Sequence, residues 1–423
     1  MKINRLILSF FVALSTLTAA AQNSVTSPYS RYGYGLLNDN VTAAQRGMGG
    51  VGYAMNSGRQ INVMNPASYA AIDTLTFLFD IGGNIRQQWS NETTASGAAL
   101  NGKNLGGGLD YITMQFPLGK YMGGSAGILP YSQVGYSFGD KIDGGASSFE
   151  GSGGINQVYI GVAGRPFKGF TVGANIAYMF GTTLNDTYAT TSTGYQSLFE
   201  RVFKVSDYKL EFGVQYNYRI NKDHKVSAGV VFSPAKAFHG HTYGVDYLIT
   251  NGTDESPDTL GYTSLAGKYS MAATWGAGVS YEWNDRLLVE ADATYQPWSK
   301  AKYTPLDGYE NEGGFVDRYK LNVGAQFTPR PRGSYLQRIN YRLGAFATRD
   351  YLTVHGNTIR EYGVSVGFGF PTPPSMTLRS VVNLSIEYKR RQATPAALIK
   401  EDYLMVTLGV NFNEMWFFQS KIR

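Results

Sequence analysis

The feature that most constrains this chain is a period of two, recurring in blocks of about ten residues from Thr74 onward. In residues 403–412, Leu404, Val406, Leu408, Val410 and Phe412 share one face, while Thr407, Gly409 and Asn411 share the other. About ten tilted residues cross a hydrocarbon layer, with the apolar row toward lipid and the polar row toward a lumen. The same reading holds for Phe212, Val214, Tyr216, Tyr218 and Ile220, which alternate with Glu211, Gly213, Gln215, Asn217 and Arg219. It holds again for Leu287, Val289, Ala291 and Ala293 against Glu290 and Asp292, and for Tyr319, Leu321, Val323, Ala325 and Phe327 against Lys320 and Asn322. About fourteen such windows can be counted.

The connections alternate as well. Short ones fall near residues 117–121, 165–169, 221–224, 284–285, 329–337 and 371–377. Between them lie longer segments near 83–107, 139–153, 181–206, 235–267 and 303–315. Short turns on one side and long loops on the other fit an outer-membrane barrel with both ends in the periplasm. The expected fold is therefore all-β, a transmembrane antiparallel barrel of about 14 strands. A soluble sandwich or propeller also alternates, but rarely strings such long strands into a regular hairpin series.

Composition supports this reading. The chain of 423 residues has 31 Tyr and 51 Gly, and 16% of its residues are charged. Beyond residue 21 no apolar run approaches the roughly 18 residues of a spanning helix. Residues 1–21 carry Lys2 and Arg5, an apolar stretch and Ala19-Ala20-Ala21, the pattern of a secretory signal. With no cysteine, a lipid-anchored lipoprotein and a disulfide framework are both excluded. The net charge of +6 is dispersed, which argues against a nucleic-acid partner.

Residues 22–73 lack the period of two and are expected to fold inside the barrel as a plug, with the barrel spanning 74–423. They contain Arg46-Gly47-Met48-Gly49-Gly50 and Asn65-Pro66-Ala67. Pro66 fixes its own φ and biases Asn65 toward extended backbone, and the Asn65 amide can bond nearby backbone, so the tripeptide can hold a sharp turn. These motifs, followed by a barrel of about fourteen strands, resemble the FadL/TodX family of hydrophobic-compound transporters. The start Ser27-Pro28-Tyr29-Ser30-Arg31-Tyr32-Gly33 and the ending from Phe412 to Phe418 are similar to FadL-related proteins of Bacteroidetes. Residues 419–423 run past Phe418, so either Phe412 or Phe418 can be the terminal aromatic.

The resemblance implies an N-terminal hatch with Asn65, Pro66, Ala67 and Tyr69 as plug and gate residues. It also implies a third strand interrupted to open the wall sideways, and Gly127 and Pro130 are the matching positions. Pro130 sits inside an otherwise continuous strand pattern and cannot donate to a ladder. The implied function is passive uptake of a hydrophobic or amphipathic small molecule across the bacterial outer membrane. Because fold does not fix function, the alternative is a non-transporting scaffold or shuttle subunit of an outer-membrane secretion or assembly complex, with other outer-membrane proteins as partners.

No catalytic or cofactor chemistry is expected. The glycine run 47–52 lacks the Gly-Lys-Ser/Thr of a phosphate loop. His239 with His241, and Asp254, Glu255 and Asp258, read as solvated outer-loop residues rather than a metal site. No Ser neighbours a His with an orienting carboxylate. The polar row residues Glu211, Arg219, Glu290, Asp292, Lys320 and Arg342 are expected to anchor the plug or neutralise one another, and outer-membrane lipid is the expected solvent.

Overall fold

The computed structural model describes residues 27–93, 99–142, 144–191, 196–249, 258–265, 267–304, 314–372, 380–396 and 398–415. The signal segment, Asp254, Glu255 and Phe418 lie outside them. A short 3-10 turn, Pro28–Arg31, leads to β1 (Leu36–Leu37), helix α1 (Ala43–Arg46) and a second 3-10 turn, Pro66–Ala71. The first six barrel strands follow: β2 (Thr76–Thr93), β3 (Ala99–Gly119), β4 (Met122–Ile142), β5 (Gly145–Phe167), β6 (Phe170–Thr191) and β7 (Gln196–Arg219). After β8 (His224–Ser233) come β9 (Lys236–Ala237), β10 (Gly240–Ile249), β11 (Asp258–Leu265) and β12 (Ser270–Met271). The chain then returns to the wall with β13 (Thr274–Trp283), β14 (Leu287–Gln296), β15 (Arg318–Phe327) and, after helix α2 (Tyr335–Arg338), β16 (Asn340–Val354). It ends with β17 (Asn357–Pro371), β18 (Val381–Thr394) and β19 (Ile399–Met415).

Fourteen of these strands, β2 to β8 and β13 to β19, form one antiparallel ring. It closes where β19 pairs with β2 from Ile399↔Glu92 to Met415↔Thr76. Closure follows from the solvent, since hydrocarbon offers no partner to an open backbone edge. The rows face as the alternation predicts. Leu404, Val406 and Leu408 are exposed on the outside, while Thr407 and Asn411 are buried inside. Aromatics mark both margins: Phe167 stacks on Phe170 at the short-turn end (4.6 Å), and Tyr295 on Tyr319 at the other (5.0 Å).

The structure corrects one expectation. The segments 83–107, 139–153 and 181–206 are largely not loops, because β2 to β7 run for 18 to 24 residues, about twice a membrane crossing. They continue beyond the hydrocarbon as a raised sheet. Where β8 stops at Ser233, the upper half of β7 pairs with β10 instead, and β10 pairs with β11. Residues 235–267 thus contain strands too. Past the lipid neither face of these strands must be apolar, so the alternation fades while the ladder persists.

If Leu408 faces the hydrocarbon, Leu408→Arg should destabilise the folded barrel by about 2–4 kcal/mol, the penalty for arginine near the midplane. Denaturant titration in vesicles would read this, and an unchanged midpoint would contradict the assigned face.

Candidate functional site: the filled lumen and its wall seam

Residues 27–73 lie along the inner wall, and their fold follows from local caps. Thr42 begins α1 in a capping box: its N–H donates to Gln45 Oε1 (2.9 Å), and its Oγ1 accepts from the Gln45 N–H (3.4 Å). Tyr111 of β3 accepts from the Ala43 N–H (2.9 Å) and donates to Asp80 of β2 (2.9 Å).

After α1 the backbone approaches the wall too closely for side chains on the strands. Gly324, Gly344 and Gly367, on β15, β16 and β17, face Met48, Gly49 and Gly47, and a methyl group on any of them would overlap that backbone. Gly49 itself, at φ +71°, lies in the left-handed region that favours glycine. The next turn is held by two carboxyl groups. The Gly52 and Tyr53 N–H groups donate to Asp292 Oδ2 (2.7 and 3.0 Å), and those of Ala54 and Met55 donate to Glu290 Oε1 (2.8 and 3.1 Å). Gln215 of β7 donates to the Tyr53 and Met55 carbonyls (3.0 and 3.1 Å). Of the polar row, Glu290 and Asp292 therefore anchor the segment, whereas Glu211 pairs with Lys209 (3.1 Å) and Arg342 donates to Gln326 and Asn383 (2.8 Å each). Arg219 lies exposed near the short-turn end.

Asn65 caps the second 3-10 turn. Its Oδ1 accepts from the Ala67 N–H (3.0 Å), and its Nδ2 donates to the carbonyls of Tyr53 (2.7 Å) and Val214 (3.3 Å). Pro66 packs on Gly213 and Gly173 of the wall, where a methyl group on Gly213 would lie 2.8 Å from the ring. Tyr69 is fully buried among Ile61, Ile72, Leu129 and Tyr159, and its carbonyl accepts from Gln115 (3.2 Å). Asn65, Pro66, Ala67 and Tyr69 thus form one wall contact.

Gly127 and Pro130 lie on β4, the strand whose Leu129 shares the Tyr69 cluster. The β3–β4 ladder runs from Gly119↔Met122 only to Ile112↔Ile128. Above it, among the described residues, β3 pairs with β2 and β4 with β5, and the β4–β5 register shifts between Pro130 and Ser132. The wall therefore has a seam, and the N-terminal segment lies in it. β1 pairs with β4 through Leu36↔Gln133 and Leu37↔Ser132. The Asn38 N–H donates to Tyr131 O (2.9 Å), the Ser27 N–H to Gly135 O (2.8 Å), and the Gly135 N–H to Ser30 Oγ (3.0 Å).

Sequence reasoning missed what lies beside this seam. Tyr34 is fully buried in an aromatic cluster, with ring centroids 5.1–6.0 Å from Phe203, Phe238, Trp298, Tyr303 and Phe315. Tyr351 accepts from the Tyr34 N–H (3.1 Å) and donates to the Gly35 carbonyl (2.6 Å). Charges lie close by. Asp39 meets Lys320 (2.6 Å) and Arg318 (3.7 Å), Arg391 meets Glu361 (2.6 Å) and Glu401 (3.3 Å), and Ser27 donates to Glu401 (2.7 Å). Burial opposes ionisation of Asp39, but Lys320 and Arg318 outweigh it and hold its carboxyl below the usual carboxylate range. A chamber of about 130 Å³ remains, lined by Asp39, Lys209, Glu211, Arg318, Lys320 and Asn322 among others. Val41, Val63, Leu129, Tyr131 and Val231 line it too, so it mixes charges of both signs with apolar side chains.

A closed fourteen-strand barrel with an inner N-terminal segment defines the class: a FadL-like outer-membrane barrel, the fold of channels for hydrophobic compounds. The structure resembles the Ralstonia pickettii toluene transporter TbuX, at 15% identity over 89% of this chain and 99% of that one, with a TM-score of 0.56. It also resembles the Pseudomonas putida toluene transporter TodX (14%, 90% and 100%, 0.57) and a Pseudomonas aeruginosa FadL homologue (11%, 90% and 99%, 0.59). At such identities the likeness shows the fold alone. More particularly, the family model described as BamG matches residues 2–423, and the chain belongs to that family.

Because Asp292 Oδ2 accepts two buried backbone N–H groups, Asp292→Ala should loosen the seated turn by about 1–3 kcal/mol. Limited proteolysis of the folded barrel should then cut within residues 50–60 faster than in the native chain. Equal cleavage rates would show that the carboxylate does not hold the segment.

Proposed function

We propose that this barrel works as a closed, non-transporting scaffold subunit of an outer-membrane protein assembly or secretion complex. The observation that carries this reading is the filled lumen. Tyr34 occupies the aromatic cluster near the seam, β1 occupies the seam, and a chamber of about 130 Å³ with a mixed charged and apolar lining lies beside them. Membership of the BamG family and the raised sheet of β2 to β7 with β10 and β11, which offers contact surface above the lipid, are consistent with it.

A second reading, passive uptake of a hydrophobic or amphipathic small molecule, is favoured by the short β3–β4 ladder and by the toluene transporters that share the fold. In that reading Gly127 and Pro130 border the lateral opening, residues 27–38 withdraw from the seam, and Asn65 to Tyr69 hold the gate's base.

Vesicle reconstitution separates the two. On the scaffold reading the full chain should pass toluene no faster than protein-free vesicles, and mild detergent should release it with a stoichiometric outer-membrane protein. Saturable flux would overturn that reading, especially if abolished by a disulfide between Leu36→Cys and Gln133→Cys. These positions are register partners in a chain without native cysteine, so the lock would be unambiguous.

A further inference from the structure

At the short-turn end, which faces the periplasm in outer-membrane barrels, one connection is the longest. Residues 120–121 and 168–169 are two-residue turns, whereas β15 and β16 are joined by residues 328–339. That stretch reads Thr-Pro-Arg-Pro-Arg-Gly-Ser-Tyr-Leu-Gln-Arg-Ile, with three arginines and no acid. It is ordered by its own bonds. Gln337 returns a capping contact to the Ser334 N–H (3.2 Å), the Arg330 N–H donates to Gln337 O (2.8 Å), and the Thr328 N–H donates to Arg286 O in the adjoining turn (2.7 Å). Asp285 is the acidic residue of that adjoining turn.

The loop is two-sided in chemistry. Leu336 and Tyr335 of α2 are exposed (67% and 46%), although both are apolar or amphipathic. They lie between the exposed strand-end aromatics Phe327 and Tyr341, and the Tyr341 hydroxyl donates to Leu336 O (3.1 Å). Ile339, by contrast, is buried and anchors the helix to the barrel. Arg330 and Arg332 are exposed beside this patch, and Arg338 lies 5.7 Å from the Tyr335 ring, with a buried Nε that lacks a hydrogen-bond partner among the described residues.

We propose that this loop is a binding site for an anionic phospholipid of the periplasmic leaflet. Leu336 and Tyr335 dip into the acyl margin, and Arg330, Arg332 and Arg338 receive the headgroup phosphate. Continuity with the lipid belt sets the depth, and the charge selects the headgroup. Arginine suits this role because its guanidinium meets phosphate oxygens in a fork. The proposal stands whether the barrel transports or scaffolds, since it concerns neither the lumen nor the seam.

The test uses the full chain in neutral detergent, with phosphatidylglycerol and phosphatidylcholine as probes and native mass spectrometry as readout. The native protein should retain phosphatidylglycerol in preference to phosphatidylcholine. The triple variant R330Q/R332Q/R338Q should weaken that retention tenfold or more, with an unaltered heat-modifiable mobility on gels showing that the barrel is folded. The double variant Y335S/L336S, with every arginine in place, should also lower retention. If the triple variant fails to fold, 0.5 M salt should release the lipid from the native chain. Retention unchanged by the arginine substitutions or by salt would overturn the proposal. Equal displacement by millimolar inorganic phosphate in the native and Y335S/L336S proteins would also overturn it, because the site would then bind a free anion rather than a lipid.

Discussion

The structure depends on one constraint, that backbone groups in hydrocarbon must find partners within the protein. Most junctions meet it with strand ladders, and where the eight pairs of β7–β8 end, β10 takes over along β7. The β3–β4 junction does not, and there the chain's own N-terminal segment supplies the partners: β1, Ser27, Ser30 and Asn38 bond the edge of β4 that β3 leaves. The interior packing follows from this placement. To reach the seam, residues 27–38 pass through the barrel, and in doing so they bring Tyr34 into the aromatic cluster and Asp39 to Lys320.

Attachment elsewhere is distributed around the wall. Glycines on β15, β16 and β17 let the 47–49 backbone approach, Glu290 and Asp292 hold the 52–55 turn, and Gly213 admits Pro66. Close backbone contact and charge-assisted hydrogen bonds on several strands make the inner segment a structural part of the barrel. Its release would require many partners to be lost together.

The barrel was legible in the sequence because lipid and lumen demand opposite chemistry on alternate residues, so the outward rows around Val214, Val279 and Leu408 appear directly. The turn at Asn65-Pro66-Ala67 and the irregularity at Pro130 were also legible, since asparagine caps and ladder-breaking prolines act locally. Three things were not. The outward extension of β2 to β7 left no alternation, because both faces there meet water or protein. β1 is two leucines long, too short for a period. The aromatic cluster is assembled from Tyr34, Phe203, Phe238, Trp298 and Phe315, which are scattered along the chain and meet only after closure.

Amide hydrogen exchange on the full chain in lipid vesicles tests the central claim most directly, read at Leu36, Asn38 and Gly135. If the N-terminal segment completes the wall, these amides should be protected to the same degree as those of the β5–β6 ladder. Exchange at the rate of an exposed loop, with the ladder itself protected, would show that the seam is open and that the N-terminal segment is not part of the wall.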